Sequence, residues 1–381
     1  MSFRPACATL AALVVLAPAH SADAPADLPP VPTWSVTADL AVAAGYRDNL
    51  LLSPTNAENS PLLRAEVEVM ALKVPVGAFD GYAYLDLAET RYLSGGSTDH
   101  ERTFILAGEA RWQPAAAFKA GWTLQAYHHD QVLDVSVTET ALSTAQLKVN
   151  GVVTGPNLRW AVGPVWLEAR FLGRRDTYKS DLDGYDEGEG GARLGWNLGA
   201  HTELALGAAR HRRDHDTRLL FTSGGRPITG SHLKTKQTDT QLDWTQTFGA
   251  EKKIRLVTAL GRQQSRDNGS GYFDYDRDFA RTALTWKTDA WQHDLGVEWS
   301  RYDFPVQIIG FGLDPEHRKK RDFHATWTLA RKISERWSVF LFAEREQSRG
   351  NDDRSSYTVH TAGLGAKFSW DNLDTLLPAA P

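Results

Sequence analysis

Trp291-Gln292-His293-Asp294-Leu295-Gly296-Val297-Glu298-Trp299-Ser300 decides how this chain is read. Trp291, Leu295, Val297 and Trp299 hold odd positions, with His293 the exception; Gln292, Asp294, Gly296, Glu298 and Ser300 hold even ones. A strand sends successive side chains to opposite faces, so this segment has one apolar and one polar face. From Thr238 the parity reverses, and Leu242, Trp244 and Phe248 oppose Asp239, Gln241, Asp243 and Thr245. From Phe323 the set Phe323, Ala325, Trp327 and Leu329 opposes His324, Thr326 and Thr328. A sandwich alternates too, but its strands usually run about five or six residues. These run roughly ten to thirteen, the length a tilted strand needs to cross a bilayer.

Working outward, short turns fall near 75–79, 114–117, 162–164, 199–201, 249–252, 288–290 and 333–335. Longer polar loops fall near 47–61, 93–101, 131–143, 178–187, 214–235, 267–277, 304–320 and 349–355. The two kinds interleave throughout. That is the arrangement of an all-β, single up-and-down antiparallel barrel in an outer membrane, with both termini in the periplasm. The count is about sixteen strands, with fourteen to eighteen compatible. The weakest stretch is 143–161, where Gly151 and Pro156 break the pattern and a bulge is expected. A propeller would need four strands per roughly forty-residue period, and only two long ones are present.

Composition agrees. Apolar residues make up 42% of 381, ordinary for a chain without membrane helices. The one long apolar run, 10–17, is too short to span a bilayer and follows Arg4. Residues 1–21 read as a signal peptide cut after Ala19 or Ser21. Residues 22–33 are a Pro/Ala-rich leader, 34–370 the barrel and 371–381 a C-terminal tail. The sole cysteine, Cys7, lies in the signal, so no disulfide or Cys-ligated metal is expected in the mature chain. A net charge of -5 without a basic patch argues against nucleic acid.

Two segments carry a family resemblance. Gly363-Leu364-Gly365-Ala366-Lys367-Phe368-Ser369-Trp370 resembles the terminal-strand signal read by the outer-membrane barrel assembly machinery, with Gly365, Phe368 and Trp370 at the matching positions. It departs from that signal in opening on Gly363 and in the tail that follows Trp370. Gly45-Tyr46-Arg47-Asp48-Asn49-Leu50 resembles the first hairpin of β-barrel porin families of Gram-negative outer membranes. Some of those families are linked to exopolysaccharide export. The resemblance implies a porin-like transport protein of the cell outer membrane. Its partners would be outer-membrane lipid and lipopolysaccharide, the assembly machinery, and small polar solutes or a glycan.

Aromatics mark the short turns: Trp112 and Phe118, Trp160 and Trp166, then Trp196, Phe248, Trp286, Trp291 and Trp337. Such rings prefer the headgroup level, so they are expected to form an interface girdle. With apolar faces toward lipid, the pore-lining candidates are Glu66, Glu68, Glu109, Arg111, Glu168, Arg170, Arg193, Asp239, Asp243, Arg281, Asp294 and Glu298. Their mixed signs predict no strong ion selectivity. Width favours a wet pore over a lumen filled by cross-strand ion pairs.

The longest loop, 214–235, follows the ninth strand, whereas the inward loop of general porins follows the fifth. The apolar segment from Phe304 to Phe311 reads as part of a loop packing over the mouth. His211-Arg212-Arg213-Asp214-His215-Asp216 invites a surface-hydrolase or metal reading, but reads better as a solvated loop base. Asp181, Asp183, Asp186, Glu187 and Glu189 lack the EF-hand order and read as a solvated acidic loop rather than a Ca²⁺ site. No nucleotide or esterase motif is present. The expectation is a passive channel with no catalytic residues, no metal and no cofactor. The alternative is a non-conducting barrel whose outer loops bind a ligand or partner.

Overall fold

The computed structural model describes residues 33–94, 96–137, 144–179, 182–249, 251, 253–310, 315–352 and 356–372. The signal, most of the leader and the tail from 373 lie outside the described residues. The strands are β1 Trp34–Arg47, β2 Ser60–Val76, β3 Phe79–Tyr92, β4 His100–Ala115, β5 Phe118–Asp134, β6 Thr144–Val162, β7 Val165–Tyr178 and β8 Tyr185–Asn197. They continue as β9 Thr202–His215, β10 Lys234–Phe248, β11 Ile254–Asp267, β12 Tyr275–Lys287, β13 Trp291–Ile309, β14 Glu316–Lys332, β15 Trp337–Gly350 and β16 Tyr357–Asp371. Each pairs antiparallel with the next, and β16 returns to β1, so all sixteen form one closed barrel. Closure leaves no sheet edge, which a bilayer requires because unpaired peptide groups are costly in hydrocarbon.

Strands of 13 to 19 residues rise far enough, when tilted, to exceed a ~25 Å apolar band. Leu40, Val42, Leu63, Leu106, Leu124, Leu206, Leu242, Leu260, Leu341 and Leu364 are exposed on the outer face. In a soluble protein they would form a large apolar patch; here they meet lipid. Three turns are two residues long, closed by Val76↔Phe79, Ala115↔Phe118 and Val162↔Val165. Gly163 supplies the positive φ that such a two-residue hairpin needs.

The seam runs from Thr37↔Asp371 to Arg47↔Thr361. Side chains on Gly363 and Gly365 would collide with the rings of Phe342 and Phe340 on β15. These glycines therefore leave room for two rings, and for the backbone of β1, against the closing strand.

Two expectations are corrected. β6 keeps one register with β5 and with β7, so no bulge forms over 144–161, the described part of the stretch; the β7 ladder skips Gly155 and Pro156 and resumes unshifted. Pro156 has no N–H to donate, which accounts for the gap. Register shifts occur instead at Lys73/Val76, Trp112/Ala115 and Asp303/Ile308. The supposed loop 304–320 is mostly strand, since β13 reaches Ile309 and β14 starts at Glu316.

Candidate functional site in the barrel lumen

The twelve lining candidates sit on the parity opposite the lipid-facing leucines. Glu66, Glu68 and Asp294 face a cavity of about 530 Å³ near the short turns, together with Asp39, Lys287 and Lys367. Lys367 Nζ lies 2.6 Å from Asp39. Tyr84 donates to Glu68 at 3.1 Å. Arg170, Arg193, Asp239, Asp243 and Arg281 line a second cavity of about 290 Å³. There Arg193 pairs with Asp243 at 2.7 Å and Arg281 donates to Gln241 at 3.1 Å. The other four are held in the wall. Arg111 pairs with Asp80, Glu109 accepts from Asn157 at 2.9 Å, Glu168 faces Arg159 at 4.0 Å and Glu298 pairs with Arg277 at 2.6 Å.

The long-loop half of the lumen is packed, and the end of β5 crosses it. Asp134 meets Lys320 of β14 at 2.8 Å, and the Ser136 carbonyl accepts from Arg318 at 2.7 Å. Six strands separate β5 from β14 on the shorter way round, so these contacts span the interior. Val132 packs with Leu52, Tyr357 and Val359. Arg318 also donates to Gln307 at 2.9 Å and lies 4.6 Å from the centre of the Phe304 ring. Phe304 is thus an inward strand residue, which corrects its reading as a loop over the mouth.

Beside this crossing lies a third cavity. It has a volume of about 240 Å³ and is bounded by Arg47, Arg64, Tyr92, Glu101, Glu344 and Glu346. It shares Arg64 and Phe342 with the 530 Å³ cavity. Arg47 contacts both the Tyr92 hydroxyl at 3.1 Å and Glu101 at 3.3 Å. Sequence reading missed Arg47, Arg64, Glu101, Glu344 and Glu346, although the parity of Leu40, Leu63, Leu106 and Leu341 puts each of them inside.

Alternation also divides the His211–Asp216 segment. His211 lies 3.1 Å from Asp239 and 3.3 Å from Glu187, and His215 is buried beside Tyr185. Arg212, by contrast, is exposed on the outer face. The segment is therefore not a solvated loop base, and His215 is not a base on the rim. Of the acidic run, Asp181 lies outside the described residues. Asp186 pairs with Arg175, Glu187 with Arg213 and Glu189 with Arg170. Asp183 accepts from the Thr217 and Arg218 amides at 2.7 and 2.8 Å. Burial pushes this loop carboxyl up, the Thr217 and Arg218 donors pull it down further, and the net is below its ordinary value. Among the described residues, no three His, Cys, Asp or Glu side chains are placed to hold a metal ion.

Loop 216–233 clamps onto its neighbours. Phe221 stacks on Tyr272, Arg218 covers Phe273, and Leu233 is buried. At the other end, Trp112, Trp160, Trp196, Phe248, Trp286, Trp291 and Trp337 are exposed beside the short turns, with Phe118 partly buried. Trp166 breaks the expected girdle. It points inward, with Arg159 4.1 Å from its ring centre. In the last strand, Gly365, Phe368 and Trp370 stand opposite Ala43, Leu40 and Ala38 of β1.

No family model matches the chain, and no curated protein does. Solved outer-membrane proteins resemble it at low identity. OccAB4 of Acinetobacter baumannii aligns over 88% of this chain and 98% of its own at 9% identity and a TM-score of 0.49. A loop-deletion form of OmpT, an outer membrane protein of Vibrio cholerae, aligns over 89% and 100% at 12% and 0.43. OccD1 (OprD) aligns over 88% and 95% at 11% and 0.45. With its closed ladder, apolar exterior and alternating short and long connections, the chain is an outer-membrane β-barrel.

Proposed function

We propose that the barrel is a passive channel for small polar solutes. The observation that carries this is the pair of cavities that share Arg64 and Phe342 in their walls. Both carry charges of both signs in their walls. Glu66 and Glu68 face the lower cavity along with Lys287 and Lys367, and Arg47 and Arg64 face the upper one along with Glu344 and Glu346. Fixed charges of both signs favour neutral and zwitterionic solutes and leave little net ion preference. The narrow upper passage favours small solutes over an exported glycan chain.

Swelling of proteoliposomes in graded solutes tests the proposal. Amino-acid-sized zwitterions should enter faster than trisaccharides. Equal rates for all solutes, or none, would refute it.

A second reading is a non-conducting barrel that binds a ligand or partner through its outer loops. It draws on the packing of Val132, Phe304, Lys320 and Tyr357 across the long-loop half. Deleting the tip of loop 216–233 separates the two readings: a channel keeps its permeability, whereas a loop receptor loses its binding.

A further inference from the structure

The outer face of β9 and β10 holds three cations near the long loops. Arg212 lies directly opposite Lys236, and Arg210 lies one pleat below, opposite Thr238. All three are exposed. Among the described residues none of them pairs with an acid. The neighbouring Asp214 is engaged by Lys234 at 2.6 Å, and Arg266, next across the sheet from Lys236, by Asp276 at 2.5 Å. Like charges directly opposite each other destabilise a sheet, so this arrangement calls for an anion from outside the chain.

The position along the barrel indicates which anion. From Phe248 among the short-turn aromatics, β10 climbs roughly 30 Å along the barrel axis to Lys236, at ~3.3 Å per residue and a tilt of ~40°. The apolar band is ~25 Å tall, so the three cations stand just beyond it, at the headgroups of the outer leaflet. A second row at the long-loop end, Arg301↔Arg321↔Arg349, crosses β13 to β15 on the same face.

The wall beside the upper two cations is open at Gly188. Gly188 and Gly190 lie opposite Arg212 and Arg210. A side chain at Gly188 would meet nothing within 4 Å. Phe171, opposite Gly190, sets its ring 3.6 Å from where a side chain there would begin and is itself exposed. A shallow trough therefore has an apolar foot toward the membrane and three cations at its head.

We propose that Arg210, Arg212 and Lys236 bind the phosphates of lipopolysaccharide in the outer leaflet, with the lipid body lying along the glycine trough. Arginine suits phosphate because its planar fork offers two parallel donors. This site is independent of whether the lumen conducts.

The test uses the full refolded chain in detergent and compares retention of purified lipopolysaccharide by native mass spectrometry. R210Q/R212Q/K236Q should bind at least tenfold more weakly than the parent. K253Q/K332Q, at the short-turn end, should match the parent within twofold. Dephosphorylated lipopolysaccharide should bind both proteins equally weakly, and inorganic phosphate at matched concentration should not displace the lipid. Heat-modifiable migration reports folding. If the triple variant fails to fold, K236E, which gives Arg212 an acid partner, should fold and still lose binding. Undiminished binding by the triple variant or by K236E overturns the proposal. So does an equal loss in K253Q/K332Q, which indicates diffuse charge attraction, or displacement by inorganic phosphate, which indicates a free-anion site.

Discussion

Replacing Lys320 by methionine should widen the passage through the lumen. Lys320 and Asp134 have side chains only 3% and 8% exposed, and their ion pair ties the end of β5 to the far wall. Methionine keeps most of the volume and removes the charge, leaving the Asp134 carboxylate in a packed interior without its cation. Removing one partner of a buried pair costs about 3–5 kcal/mol. At about 1.4 kcal/mol per factor of ten, the balance between a seated and a displaced β5 end shifts by roughly 10² to a few times 10³. Arg318 still holds the Ser136 carbonyl, so the lower figure is the working one. Single-channel recording of folded Lys320→Met should show a larger or noisier conductance than the parent. Adding Asp134→Asn removes the stranded charge and should return the conductance part of the way, a coupling that a double-mutant cycle isolates. Parental conductance in the folded single variant, or no recovery in the double, would refute the claim that this pair holds the crossing in place.

Further outcomes follow from other parts of the molecule. Gly363→Val should push the Phe342 ring off the seam and destabilise the barrel by about 1–3 kcal/mol; a shift in the urea midpoint of refolding checks this. The Asp183 carboxyl titrates below its ordinary value when folded, so its contribution is present above the unfolded pKa and lost as pH falls through the folded one. Loop 216–233 should therefore resist proteolysis at pH 6 and become sensitive to an acid-active protease below about pH 4, whereas Asp183→Asn should be sensitive at both. Glu66→Gln with Glu68→Gln should move the reversal potential in a salt gradient toward anions, because it removes two lumen-facing negative charges while Lys287 and Lys367 remain.

The barrel was readable in the chain because a period of two and a bilayer length are local properties. Trp291, Leu295 and Trp299 needed no partner to reveal their face. The same rule, applied residue by residue, would have split His211 and His215 from Arg212; reading that segment as a block of charge hid both the inner contacts and the outer cation cluster. Trp166 misled because a turn-flanking indole was assigned by its neighbourhood rather than by its parity with Leu167. The crossing of β5 was out of reach for another reason. Arg318 and Ser136 are 182 positions apart, and nothing local to Asp134 names Lys320 as its partner. A signal was nonetheless present, since Val132, Val135 and Val137 are too apolar for a loop bathed in water. The segment from Phe304 to Ile309 gave the same signal, and there the strand simply continues.

The most direct test of the channel account is the conductance of the parent protein, refolded and shown to be a barrel by heat-modifiable migration, in a planar bilayer. A channel with charges of both signs along its wall gives discrete, ohmic steps and a reversal potential near zero in a salt gradient. A folded barrel that inserts and passes no current would contradict the channel account.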